Sequence, residues 1–249
     1  MIFSANLLFR AKEIRPSRLS LQGSCEFTAM KKNISKRHDS RSEATRVALI
    51  EAAESLFAEH GFEAVSMRQI GLAIGSGNNT VVTYHFGTKD AFIQAIYMHR
   101  LPAIDARRRE LLAEADAEGK GDDLARLLRI FFLPFFEQTD GHGRHSYGRL
   151  LCEMLRDGRG PTRELLDDPE PATGLVLHRI RSKLSVGDGH ALRIRLHMMA
   201  AIILESLRLI DSAGKEEFGK YSDLAIFDEA LAMILAILTA PYREVDERD

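Results

Sequence analysis

Residues 45–92 read TRVALIEAAESLFAEHGFEAVSMRQIGLAIGSGNNTVVTYHFGTKDAF, and their punctuation decides the fold. Leu49, Ile50, Ala53, Leu56 and Phe57 recur at helical spacing and give the first helix one apolar face. Just ahead, Ser40-Arg41-Ser42-Glu43 fits a capping box, S-x-x-E. Gly61 supplies a residue that can adopt the left-handed conformation ending a helix, and Phe62 follows where such an ending wants an apolar contact. A second helix starts sharply: Ser66 and Gln69 make another capping box, with Val65 and Ile70 as its hydrophobic staple. Gly75-Ser76-Gly77 then breaks the chain after one or two turns, as a helix-turn-helix requires. A third short helix is expected over 78–84, with polar Asn78, Asn79, Thr80 and Thr83 around apolar Val81 and Val82.

A recognition helix enters the major groove with side chains that pair to base edges; Asn suits adenine and Arg suits guanine. Asn78, Asn79, Thr80 and Thr83 are the candidates on the third helix, and Arg68 reaches from the second. Thr88 can cap a fourth helix, leaving Lys89 and free backbone N–H groups at a positive helix end suited to phosphate. Taken alone, Asn and Gly at these positions also suit a plain loop.

About fifty residues of this segment resemble the DNA-binding head of the TetR family of transcriptional regulators. The run ALIEAAESLFAEHGFEAVSMRQI and the close YHFGTKDAF carry the resemblance. It implies a three-helix DNA-binding head, a helical ligand-binding body and a homodimer that usually represses. By position, Ser66 and Arg68 match the family's DNA-contacting sites on the second helix. Tyr84, His85 and Phe86 match its Y-H-F signature, and Lys89 its phosphate-contacting lysine. Two features depart from the family: the Gly-Ser-Gly turn makes the span 70–86 one residue longer than the commonest pattern, and Thr83 stands where many members carry a tyrosine.

The rest of the chain is helical in pattern, so an all-α fold is expected, with about nine helices, a basic arm at 1–40, a helix-turn-helix domain at 41–90 and a body at 91–249. Of the chain's net charge of −2, residues 1–40 contribute +5, from eight Lys or Arg against three acids, which leaves −7 for the remainder. Such a split fits a basic arm on an acidic body. The arm lacks apolar periodicity, which predicts disorder, and its 31–41 segment suits phosphates. A start at Met30 would instead leave residues 1–29 without a role. Cys25 and Cys152 are too few for a disulfide framework. No run approaches a membrane span, and Leu7-Leu8-Phe9 is too short for a signal-peptide core, so a cytoplasmic protein is expected.

Beyond the head, a long helix is expected at 90–117, kinked at Pro102, with Arg107-Arg108-Arg109 on a solvated face. Asp122 or Asp123 can cap a phenylalanine-rich helix that contains Pro134. Shorter helices follow at 147–156 and 173–184, around a turn-rich stretch at 157–171. Two strong apolar helices, 189–212 (capped by Asp188) and 222–239, end the chain. They suit either a core or a four-helix bundle across a two-fold axis; the resemblance implies the latter, a homodimer. Phe131, Phe135, Met154, His178 and His197 are candidate lining for a mostly apolar effector site, which favours a hydrophobic or amphipathic small molecule. The partners expected are thus a palindromic double-stranded DNA operator, a small effector and a second copy of the chain, with no membrane. A DNA-binding protein without an effector and a helical enzyme are the alternatives. His142 and His145 have metal-like spacing but no third ligand nearby, and no nucleotide, zinc-protease or nucleophile-elbow motif occurs. No cofactor, metal or catalytic residue is expected.

Overall fold

The computed structural model describes residues 27–156, 171–184, 189–212, 219 and 221–241. Among the described residues the protein is all-α, with nine helices and no strand. They are α1 (Phe27–His60), α2 (Met67–Ala73), α3 (Val81–Phe86), α4 (Lys89–Ala117), α5 (Leu124–Glu137), α6 (Ser146–Arg156), α7 (Pro171–Lys183), α8 (Gly189–Asp211) and α9 (Asp223–Thr239). The predicted turn-rich stretch falls almost wholly on residues outside this description, as do Asp188, Cys25 and most of the expected arm.

Helix boundaries follow local chemistry. α1 begins at Phe27, so the S-x-x-E at 40–43 lies inside it and does not start it. No Gly or Pro occurs between Phe27 and His60, so nothing in the sequence breaks the helix there. Gly61 ends α1 at φ 77°, and Phe62 folds back so that its ring centroid is 4.8 Å from that of Phe57. At the end of α2, Ser76 N–H donates to the Gly71 carbonyl and Gly75 N–H to that of Leu72. This is a Schellman ending, and its left-handed residue is Gly75 at φ 72°. Asp123 caps α5 by accepting from Arg126 N–H at 2.7 Å, and Ser222 caps α9. Pro102 and Pro134 both lie within helices.

Two apolar clusters organise these elements. The first joins Leu49, Ile50, Ala53 and Phe57 of α1 to Ile70, Val81, Val82, Phe92, Ile93 and Ile96, and extends to Tyr147, Leu150 and Met154 of α6. The second joins α4, α5, α7, α8 and α9 through residues such as Leu111, Leu127, Val176, Leu207, Phe227 and Ile234. Phe135 and Leu151 pack against both clusters and α4 contributes buried residues to each, so α4, α5 and α6 are the elements the two cores share. α6 lies on α1 on one side and on α8 on the other.

The α6–α8 contact is tight at Gly148. A Cβ there would lie 2.5 Å from Leu207 Cδ1, and Leu207 is fully buried. Gly148→Val should therefore overpack the joint and lower the unfolding free energy by about 1–3 kcal/mol, read from urea denaturation; a value within error of the parent would mean the two helices can part at no cost.

Candidate nucleic-acid interface

α2 and α3 are held from beneath. Ile70 of α2 and Val81 and Val82 of α3 point into the first core, together with Phe57, Phe62 and Phe92. Gly71 allows the close crossing of the two helices, since a Cβ there would sit 3.1 Å from Val81 Cγ1. The α2 start has the predicted capping box: Ser66 N–H donates to Gln69 Oε1 at 2.8 Å, and Gln69 N–H to Ser66 Oγ at 3.3 Å. Val65 and Ile70 are both buried, as a staple demands.

With their apolar sides engaged, the two helices turn a polar surface outward. Ser66, Arg68, Asn78, Asn79, Thr80, Thr83 and Tyr84 are all exposed, Tyr84 at 76 %. His85 is half-buried, its ring edge-on to Tyr84 at 5.1 Å. Phe86 belongs to the support: its ring lies 4.3 Å from that of Phe92, and the Arg46 guanidinium sits 5.2 Å above it.

The structure corrects the sequence reading at one place on this surface. α3 begins at Val81, not at 78, so Asn78 and Asn79 stand in the turn before it. The reason is local. Asn78 Oδ1 accepts from Thr80 N–H at 3.0 Å and from Thr80 Oγ1 at 2.8 Å, a side-chain turn that competes with helix. With its oxygen used twice, Asn78 lacks the free acceptor a bidentate grip on adenine needs. Asn79, beside it, has no such bond among the described contacts. Lys89 has a partner inside the head: its ammonium donates to the Phe62 carbonyl and lies 6.0 Å from the Phe57 ring centroid. It ties the start of α4 to the end of α1, leaving only its remaining N–H bonds for a phosphate. Thr88 caps α4 as expected, accepting from Ala91 N–H at 3.1 Å.

The sequence model of the family described as "Bacterial regulatory proteins, tetR family" matches residues 49–96. That span runs from the buried stripe of α1 through α2 and α3 into α4. Over these residues the head is similar to the DNA-binding head of TetR-type regulators. Among solved structures, one similar chain is the TetR family transcriptional regulator PfmR from Thermus thermophilus. It shares 18 % identity over 79 % of this chain and 96 % of that one, with a TM-score of 0.37. A comparison with curated proteins found no match.

Behind this head lies a set of buried ionisable groups whose contacts the sequence did not show. Glu54 of α1, 2 % exposed, accepts from Arg100 Nε at 2.9 Å and Nη2 at 3.1 Å, and from Ser146 Oγ. The carboxylate thus joins α1 to α4 and to the first residue of α6. Next to it, Tyr147 Oη donates to the Tyr97 carbonyl at 2.9 Å; burial raises the Tyr147 phenol well above its usual range. His145 faces Asp211, with Nδ1 2.7 Å from Oδ1 and Nε2 2.9 Å from the Phe136 carbonyl, which removes it from any pairing with the exposed His142.

Arg108, read from sequence as part of a solvated face with its neighbours, is instead buried. It donates to the Phe131 carbonyl from Nε (3.1 Å) and Nη2 (2.8 Å), and to Thr173 Oγ1 from Nη1 (2.8 Å). Its guanidinium carbon lies 4.2 Å from the Phe131 ring centroid and 5.1 Å from that of Phe135. Burial lowers its pKa to about 10, against an opposing pull from Asp105. A sequence signal existed in both cases: Glu54 stands between Ala53 and Phe57 on the apolar stripe of α1, and Arg108 one turn from Ile104 and Leu111 on that of α4.

Of the five residues predicted to line an effector site, Phe131 and Phe135 meet around Arg108. The others do not join them. Met154 is buried with the first core on the α1 side of α6, and His178 and His197 are exposed on α7 and α8. Helical periodicity fixes which residues share a face, but not which neighbour covers that face. Among the described residues, no helix is long and apolar enough to cross a membrane.

Proposed function

We propose that the protein is a homodimeric repressor that binds a palindromic operator through residues 41–90 and releases it when a hydrophobic or amphipathic small molecule binds the body, residues 91–249. The observation that carries the DNA reading is the two-sidedness of α2 and α3: Ile70, Val81 and Val82 are buried, while Arg68, Asn79, Thr83 and Tyr84 stand in solvent on the TetR-like head. Arg68 would pair with a guanine edge, Asn79 with an adenine, and Ser66, Thr83, Tyr84 and Lys89 with the backbone. His85 would orient Tyr84, and Asn78 with Thr80 would set the angle of the turn.

The dimer reading draws on the last two helices. α8 exposes Ile194, Leu196 and Met198 and α9 exposes Leu224 and Met233 in the single chain, apolar surface that a second copy would cover. Two heads would then read half-sites about one helical turn apart or a multiple of it. Effector binding would shift the population toward a head spacing that fits the operator less well.

Arg68→Ala is the direct test. On an operator fixed by selection, it should weaken binding by about 1–3 kcal/mol and relax preference at a single base pair in each half-site. Uniform weakening across all sequences would make Arg68 a phosphate contact, and unchanged affinity would remove α2 from the interface.

A further inference from the structure

Three consecutive polar side chains at the start of α6 are buried: His145, Ser146 and Tyr147, none more than 4 % exposed. Each is spent on different elements. His145 Nδ1 lies 2.7 Å from Asp211 Oδ1, and its backbone N–H donates to Asp211 Oδ2 at 2.8 Å, so both carboxylate oxygens of the last residue of α8 are engaged. On the other side of the ring, Nε2 faces the Phe136 carbonyl of α5 at 2.9 Å. Ser146 Oγ donates to Glu54 of α1, and Tyr147 Oη donates to the Tyr97 carbonyl of α4 at 2.9 Å. Gly148 follows, where a Cβ would lie 2.5 Å from Leu207 Cδ1, so α6 lies flush on α8. One helical turn thus fastens α1, α4, α5 and α8 at a single point.

This point braces the weakest part of the link between head and body. α4 runs from the first core, where Phe92, Ile93 and Ile96 are buried, into the second, where Leu111 and Leu112 are. Pro102 interrupts it midway, and its missing N–H costs the helix one backbone bond where helices commonly bend. Tyr97 and Arg100 stand just before Pro102, and both are tied off: Tyr97 through its carbonyl to Tyr147, and Arg100 to Glu54. Glu54 in turn accepts from Ser146. Apolar packing of α1 on α6 is non-directional and by itself would let the two helices slide. Buried polar groups gain little over apolar ones in stability alone, but bonds with fixed donors and acceptors select one orientation.

We infer that His145, Ser146 and Tyr147 are positioning residues for operator recognition. They hold the head at one angle to α8, and in the dimer proposed above they fix the half-site spacing that two heads accept. The inference rests on the reading of the protein as a dimeric DNA-binding regulator, and it names the residues that set the spacing. A duplex with another spacing would be bound only by straining or breaking these bonds.

The test uses three full-chain variants. Ser146→Ala and Tyr147→Phe each remove one hydroxyl, and His145→Gln removes the ring that faces Asp211. Binding is measured to the selected operator, to the same half-sites with one base pair inserted between them, and to a single half-site. The parent should prefer the selected spacing. In each variant that preference should fall by about 2- to 12-fold, the net contribution of one hydrogen bond, with affinity for the single half-site kept. A purely structural role would weaken binding to all three duplexes alike and leave the preference intact. That result, or no change on any duplex, would overturn the assignment; should His145→Gln fail to fold, the two hydroxyl variants decide. A parent that binds half-sites without any spacing preference would overturn it too, while DNA recognition by the head would stand. A parent that binds no duplex with sequence preference would remove both.

Discussion

Glu54→Ala should lower the unfolding free energy by about 3–5 kcal/mol, the usual effect of stripping one partner from a buried ion pair. Arg100 would lose both bonds of its fork, and Ser146 at the start of α6 would lose its acceptor. The pair spans 46 residues of sequence and the Ser146 bond 92, so the loss falls on the joint between head and body and not within either. Urea denaturation of the parent, Glu54→Ala, Arg100→Ala and the double variant measures it. The double variant should cost less than the sum of the singles, because removing both charges leaves neither one stranded. Additive losses, or a Glu54→Ala effect below about 1 kcal/mol, would mean that the joint is held by apolar contact alone.

Phe57→Ala should cost about 3–5 kcal/mol as well, but with a different signature. Phe57 is fully buried beneath α2 and α3, against Phe62 and below the Lys89 ammonium. Emptying that position removes the floor on which the exposed residues of the head stand. DNA affinity should therefore collapse while the second core, which does not contain Phe57, keeps its helices. Far-ultraviolet circular dichroism and operator binding on the same sample separate the two effects. Full DNA affinity in a variant with an unchanged melting temperature would contradict the packing described above.

The head was legible in the sequence because its signals are local. The Ser66–Gln69 box, the Val65–Ile70 staple and the glycine endings at Gly61 and Gly75 each act within five residues, and each is present in the structure. The last two helices were legible for the same reason, as long runs with one period. Local signals also misled. Asn78 looks like the first residue of a recognition helix but prefers to bond Thr80, and the box at 40–43 is indistinguishable from a true start until the helix is seen to continue through it. Glu54, Arg108 and His145 depend on partners far away in the chain, so sequence shows at most a charge on an apolar stripe. His178 and His197 fail the opposite way: their helices were read correctly, yet the covering neighbour that would make a pocket wall is not encoded in period.

In two copies, the outward surface of α2, the Gly-Ser-Gly turn and α3 should read base sequence. Selection of the protein against random duplexes, at moderate and raised salt, measures whether it does. An enriched palindrome with two half-sites about 10 base pairs apart centre to centre, or a multiple of that, is the predicted result. Salt-sensitive retention of duplexes with no enriched sequence, or no retention at all, would contradict it.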